Sequence, residues 1–474
     1  MSDMQYVSGP RSDCRNAVPS SSTRKRGHSE VADDSDEGKQ SKKRKTGESV
    51  VKLEDVHCFV FYPDVVYGHK CLGTLFTASS IRGRGTTVFS VVRNTKRMAL
   101  RMAWQDDVTL MAEQDAVMKR LKDQGSQLHS NVIVPFMTEK VERGSKMCTT
   151  LGAIRGFLDA QIEELGVENR VLTISASDLK RPVKYFWGVH DFVRGLCGAL
   201  LGHEYLTKIG ILHRDISENN IVLGLRPEGE RGYLIDLDMA ILQNADEPTQ
   251  PQPQSIKLWT RLSSLSTLKS HTLPERALRT GTFPYISYNV LLDGRHTQFD
   301  DVESFLYVLL LFFFSYAGPL SASELCKADE AGFVQSIGSG RSSHTRNWPK
   351  KYGWVDGETE AIAAQKYSAI TISHGVRRII KSTEFVDCLE NNWPEELHDP
   401  ICDLIHASFT IFHRSTAANR SRTEVSHADF VSMLDEWLNL YSHLEDKFSN
   451  CPFNQPEAFP ISRAGLQGFD INIP

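Results

Sequence analysis

Residues 212–223 read LHRDISENNIVL and set a histidine, an arginine, a carboxylate and two amides between two short apolar runs. Strand-like flanks suggest a polar loop on a rigid base, the usual mounting for catalytic groups. A surface turn has the same composition, because Asp, Asn and Ser all favour turns. A second stretch, YLIDLDMA at 233–240, frames Asp236 and Asp238 with Leu234, Ile235, Leu237 and Met239. A strand there delivers an acid to the region of Asp215. Two or three oxygen donors converging on a polar site suit a hard divalent cation, and Mg²⁺ in particular is held by few carboxylates plus substrate phosphates. The chemistry these residues point to is that of a metal–phosphate site. Upstream, IRGRGTTVF at 81–89 offers Gly83 and Gly85, whose missing side chains let backbone N–H groups approach a phosphate. An ordinary hairpin turn uses the same pair of residues.

These groups need elements to hold them. From 56 to about 145 the pattern is one of short β-branched runs such as VFSVV at 88–92, followed by a helix-like stretch near 111–121 in which Leu110, Val117 and Leu121 fall at helical spacing. This is a small strand-rich unit with one helix. Residues 186–209 are long and amphipathic, and from 300 onward the pattern is mostly helical, so the second unit is larger and α-rich. The run FLYVLLLFFFSYAGPL at 305–320 is short for a membrane span, contains Gly318 and Pro319, and follows Asp300, Asp301 and Glu303 directly. A buried core helix is expected. The Pro- and Gln-rich stretch 243–257 and the aperiodic stretch 321–360 are expected to be irregular insertions.

The chain has 474 residues, 40% hydrophobic and 24% charged, enough for a full-sized core in two or three domains. A net charge of -5 gives no global pull toward nucleic acid, and no direct nucleic-acid binding is expected. Nine cysteines without a Cys-x-x-Cys pair argue against a disulfide framework or a zinc ribbon, and so for a reduced, intracellular setting. The first residues lack the apolar core of a secretory signal. Residues 1–55 form a tail of Ser, Lys, Arg, Asp and Glu, expected to be disordered. Its basic clusters, 24–26 and 42–45, resemble a bipartite nuclear import signal that an import receptor would read, the alternative being a solvated charged tail.

Taken together, the motifs resemble the protein kinases, and most closely the fungal-type protein kinases. His213-Arg214-Asp215 with Asn220 is similar to the H-R-D-x-x-x-x-N catalytic loop, and Asp236 stands where the metal-binding Asp of Asp-Phe-Gly would stand. RTGTFPYIS at 279–287 resembles the Gly-Thr end of an activation segment, and FDDVESFLYVL at 299–309 resembles the Asp-Asp-Leu-Glu-Ser helix start of that family. The resemblance covers about residues 56–440.

It implies an α+β, bilobal kinase-like fold, with a nucleotide-binding N-lobe at 56–150, a C-lobe at 151–442 and an extension at 443–474. It implies ATP and Mg²⁺ as cofactors and a protein substrate, with no membrane partner. Asp215 would be the catalytic base, Asn220 and Asp236 would hold the metal, and Thr282 would hydrogen-bond near Asp215 and fix the loop. Asp301 would accept backbone N–H groups of that loop, and Arg214 would be an internal ion-pair partner. Gly83 and Gly85 would face the nucleotide. The Lys of the third strand is replaced by Arg101 in the frame Met98-Ala99-Leu100-Arg101, with Glu113 as its expected helix partner. Arg is not interchangeable with Lys at a tight site, so a pseudokinase that only binds is the alternative to an active serine/threonine kinase. A small-molecule phosphotransferase is the third reading. Three further departures are visible. Asp238 replaces the Gly of Asp-Phe-Gly, which looks usual for the fungal-type family. Ser217 stands where many serine/threonine kinases have Lys, and Ser287-Tyr288-Asn289 replaces Ala-Pro-Glu, removing a familiar ion pair with a C-terminal Arg. SSLSTLKS at 263–270 would suit regulatory phosphorylation.

Overall fold

A computed structural model describes residues 65–66, 69–77, 85–93, 96–106, 109–143, 146–150, 170–226, 229, 231–243, 281–318, 354, 358–372, 374–419, 424–449 and 451. The tail with its basic clusters, Gly83, the 263–270 segment, residues 244–257 and most of 321–360 lie outside the described residues. All described residues belong to one compact unit, Tyr62–Pro474.

The first part is built on an antiparallel sheet. Its elements are β1 (Val65–Val66), β2 (His69–Thr77), β3 (Thr87–Arg93), β4 (Lys96–Asp106), helix α1 (Thr109–Asp123), β5 (Met137–Lys140), the small hairpin β6 (Glu142–Arg143) and β7 (Lys146–Met147), and β8 (Arg170–Asp178). The strand order in the six-stranded sheet is β1-β2-β3-β4-β8-β5. The sheet therefore does not stop at residue 150: β4 is paired on one side by β3 and on the other by β8, with Arg101 opposite Val88 and Ser175. Alternation along β4 sends Met98 and Leu100 into a core with Val91, Ile174 and Ala176 and sends Arg101 to the other face. On α1, Val117 and Leu121 are buried as their spacing predicts.

The second part follows as β9 (Arg181–Pro182), α2 (Val189–Lys208), β10 (Ile211–Leu212), β11 (Ile221–Leu223), β12 (Gly232–Leu234), β13 (Ile241–Leu242), α3 (Tyr288–Leu291), α4 (Gln298–Ser315), α5 (Thr359–Thr371), α6 (Gly375–Ile380), α7 (Thr383–Asn392), α8 (His398–Asn419) and α9 (His427–Leu440). The fold is α+β. Helix α4 is the expected core helix: every residue from Asp300 to Ser315 is buried, and Phe312 stacks on Phe192 of α2 at 3.6 Å between ring centroids. Its start is fixed by Asp300, whose carboxylate accepts from the Thr297 N–H at 2.7 Å. No helix among the described residues is long and apolar enough to cross a membrane.

What positions the site is the contact of α2 with β12. Gly198 on α2 lies directly on the backbone of Gly232, so that a Cβ there would meet the Gly232 carbonyl oxygen at 2.6 Å. This close approach explains a glycine inside a helix, where it otherwise costs about 1 kcal/mol relative to Ala. Asn131 completes the join, its Nδ2 donating to the Gly232 carbonyl at 2.6 Å. Strand β12 then leads straight into Ile235 and Asp236.

Candidate active site

The loop between β10 and β11 carries Asp215 and Asn220, and both are buried. Asn220 Nδ2 donates to the Asp215 carbonyl at 2.7 Å and to Asp215 Oδ2 at 3.1 Å. Thr282 Oγ1 donates to Asp215 Oδ1 at 2.6 Å, so each carboxylate oxygen has a donor, one of them the expected Thr282. Arg214 sits in the left-handed region at φ 67°, a conformation that costs about 1–3 kcal/mol and persists where surroundings enforce it. Here the Arg214 N–H donates to Asp301 Oδ2 at 3.1 Å. His213 closes the loop: its Nδ1 accepts from the Asp215 N–H at 3.3 Å while Nε2 donates to the Ile235 carbonyl at 3.1 Å. Burial holds His213 below the ordinary histidine range, in keeping with that neutral arrangement.

Asp301, at the start of α4, is a hub. It accepts from His203 Nε2 of α2 at 3.0 Å and from His296 Nε2 at 2.8 Å. Burial opposes its charge, but the facing His296 and the two imidazole donors outweigh burial and hold the carboxyl far below the usual range. For His296, burial works against protonation, and the Asp301 carboxylate reverses that and raises it. His203 Nδ1 meets His427 Nε2 of α9 at 2.7 Å, tying the C-terminal helices to the loop.

On the β4 side of the site the pairing differs from expectation. Arg101 Nη2 lies 2.5 Å from Asp238 Oδ2 and 3.3 Å from each carboxylate oxygen of Asp236. Glu113 is exposed and does not reach it; its charge is felt instead by the half-buried Arg214, which also feels Asp301. Helix α1 turns Gln114, not Glu113, toward the site, and one residue is about 100° of rotation. Gln114 Nε2 donates to the Asp238 carbonyl at 2.8 Å. Asp236 is itself left-handed, at φ 62°, and accepts from the Asp238 N–H at 3.3 Å. Gly85 also adopts positive φ, 55°, and packs beside Trp104.

The segment after Thr282 is anchored from below by groups that sequence reasoning missed. Lys366 of α5, fully buried, donates from Nζ to the carbonyls of Pro284 and Ile286, both at 2.5 Å, and lies 4.0 Å from the Tyr307 ring centroid. Glu303 of α4 accepts from the Tyr288 N–H at 2.8 Å and the Tyr307 hydroxyl at 2.6 Å. Ser287 and Asn289 both donate to Asp300 Oδ1, at 2.8 and 3.0 Å. Together these contacts anchor the stretch 284–289, which includes the Ser287-Tyr288-Asn289 found where Ala-Pro-Glu was expected. A signal for Lys366 was present: it occupies the apolar stripe Ile362, Ala363, Ala369, Ile370 at helical spacing, where a lone charge must be buried with partners.

Asp215, Ser217, Asn220, Asp236, Asp238, Thr282, Arg101, Gln114 and Gly85 all line one cavity of about 610 Å³, whose other walls include Leu75, Val88, Ala99, Ile133, Phe136 and Val222. An apolar wall with a few convergent polar groups is the build of a nucleotide-sized site. The donor set also fits a phosphate-bound divalent cation. Asp236 supplies carboxylate oxygens, the Asn220 amide uses its nitrogen on Asp215 and leaves its oxygen for a cation, and phosphate oxygens and water would complete the shell. A family model described as "Fungal protein kinase" matches residues 70–313, from β2 into α4 and through every motif of the cavity. The chain belongs to the fungal protein kinase family.

Proposed function

We propose that this chain is an active ATP- and Mg²⁺-dependent protein kinase with a bilobal arrangement, which transfers the γ-phosphate to a serine or threonine hydroxyl. The observation that carries the reading is the clamped carboxylate of Asp215, held by Thr282 and Asn220 in the cavity that also contains Asp236 and Arg101. Phosphoryl transfer depends on positioning and charge neutralisation. Asp215 orients the acceptor hydroxyl and takes its proton. Asn220 and Asp236 hold the metal, which supplies neutralisation of the phosphate charge. Arg101 contacts phosphate oxygens, and the Gly85 turn brings backbone close to them.

The test is transfer from labelled ATP to a generic protein substrate by the purified chain with Mg²⁺, beside Asp215→Ala, followed by phosphoamino-acid analysis. Transfer abolished by Asp215→Ala and recovered on serine or threonine is the expected result, and equal label with both proteins overturns it. One observation favours a second reading, a nucleotide-binding module without turnover: Arg101 is engaged by both Asp236 and Asp238. Mg²⁺-dependent ATP binding without transfer would select it.

A further inference from the structure

The cation of β4 and the metal acid Asp236 face each other directly, which raises a difficulty for the proposed function on which this inference rests. A guanidinium free to settle on Asp236 competes with a divalent cation for the same oxygens. The geometry points to Asp238 as the residue that resolves the conflict: it is a positioning residue that holds Arg101 beside Asp236 and so leaves Asp236 to the metal, taking the part expected of Glu113.

Three observations carry this. Arg101 is 0.8 Å closer to Asp238 than to Asp236, at 2.5 Å against 3.3 Å, and only the former is a strong charge-assisted contact. Both acids are largely buried, with side-chain exposures of 17% and 14% for Asp236 and Asp238, so these contacts are poorly screened by solvent. The turn bearing Asp238 is fixed from both sides. Its N–H is bonded to Asp236 Oδ1, and its carbonyl accepts from Gln114 of α1. Helix α1 thus reaches the site through a neutral amide on the backbone of the turn, while Glu113 lies exposed on another face. A glycine at position 238 would leave Arg101 with Asp236 alone.

The test uses the full chain and the variants Asp238→Asn, Arg101→Gln, Glu113→Gln and the two double variants Arg101→Gln/Asp238→Asn and Arg101→Gln/Glu113→Gln. Binding of a fluorescent ATP analogue is titrated against Mg²⁺. Asp238→Asn should raise the Mg²⁺ concentration for half-maximal binding at least fivefold, because Arg101 then leans on Asp236. In the Arg101→Gln background the same substitution should change it less than twofold. A rise that persists without Arg101 would make Asp238 a metal ligand and overturn the inference, as would a larger rise from Glu113→Gln than from Asp238→Asn. Unfolding midpoints measured without nucleotide supply a second readout. Arg101 and Asp238 should be coupled at least tenfold in the folding equilibrium, Arg101 and Glu113 less than twofold, and the reverse order overturns the pairing. A natural chain that binds no nucleotide overturns the proposed function, while the ligand-free coupling still decides which acid holds Arg101.

Discussion

Replacing Lys366 with Met should separate the stability of the chain from its phosphotransfer. Burial pulls the Lys366 ammonium down to about 7 and pushes the Glu303 carboxyl up to about 7. At about 1.4 kcal/mol per pH unit, less the fraction already deprotonated, holding this lysine in the core at pH 7 costs about 4 kcal/mol relative to the unfolded chain. Met removes that cost. It also removes the donor to the buried Pro284 carbonyl and the part-buried Ile286 carbonyl, and at about 1–3 kcal/mol for each acceptor left without its donor the loss is at most about 2–6 kcal/mol together. The two effects nearly cancel, so the unfolding midpoint should move by no more than about 6 °C. The local consequence does not cancel. Residues 281–291 lose their tie to α5, and with them Thr282 loses the placement that puts its hydroxyl 2.6 Å from Asp215. Turnover on a protein substrate should fall tenfold or more, while the KM for ATP stays within twofold, because Lys366 does not line the cavity. Calorimetry and steady-state kinetics on the same preparation check this. Undiminished turnover in Lys366→Met, or outright unfolding, would refute the reasoning.

Asp301→Asn replaces a carboxylate facing three donors with an amide that can turn its own donor toward them; it should cost about 3–5 kcal/mol and lower both the unfolding midpoint and turnover. The His296 pairing with Asp301 adds a pH dependence. Because the folded His296 titrates above its unfolded value, its contribution is fully present below about pH 6.5 and is lost as pH rises through the raised value. Melting curves from pH 6 to 9 should fall less steeply for His296→Asn than for the natural chain. Gly198→Ala should destabilise by about 1–3 kcal/mol despite the better helix propensity of Ala, since its Cβ would press on the Gly232 carbonyl; a midpoint at or above that of the natural chain would contradict the close approach. For the tail, we propose nuclear import, and changing Lys42, Lys43, Arg44 and Lys45 to Ala should shift a fluorescent fusion toward the cytoplasm; an unchanged distribution removes the proposal.

Much of the site was legible along the chain because its signals are local. Asp215 and Asn220 lie in one loop, the carboxylate of Asp300 caps the helix it belongs to, and the run 305–314 can only be buried when ten apolar residues succeed one another. Short-range geometry also fixes Gly85 at positive φ and the inward stripe of α1. The choice of partners across long separations was not legible. Arg101 and Asp238 are 137 positions apart, and a composition that contains both Glu113 and Asp238 is silent on which of them the guanidinium meets. That choice is made by the direction in which β4 sends its side chain and by a rotation of about 100° between neighbouring residues of α1. The same holds for Lys366 beneath the Thr282 segment and for His203 and His296 around Asp301. The stripe of α5 marks Lys366 as a buried charge without naming its partners, and each of these residues gains its role from a charge or carbonyl that the folded chain brings within hydrogen-bonding distance.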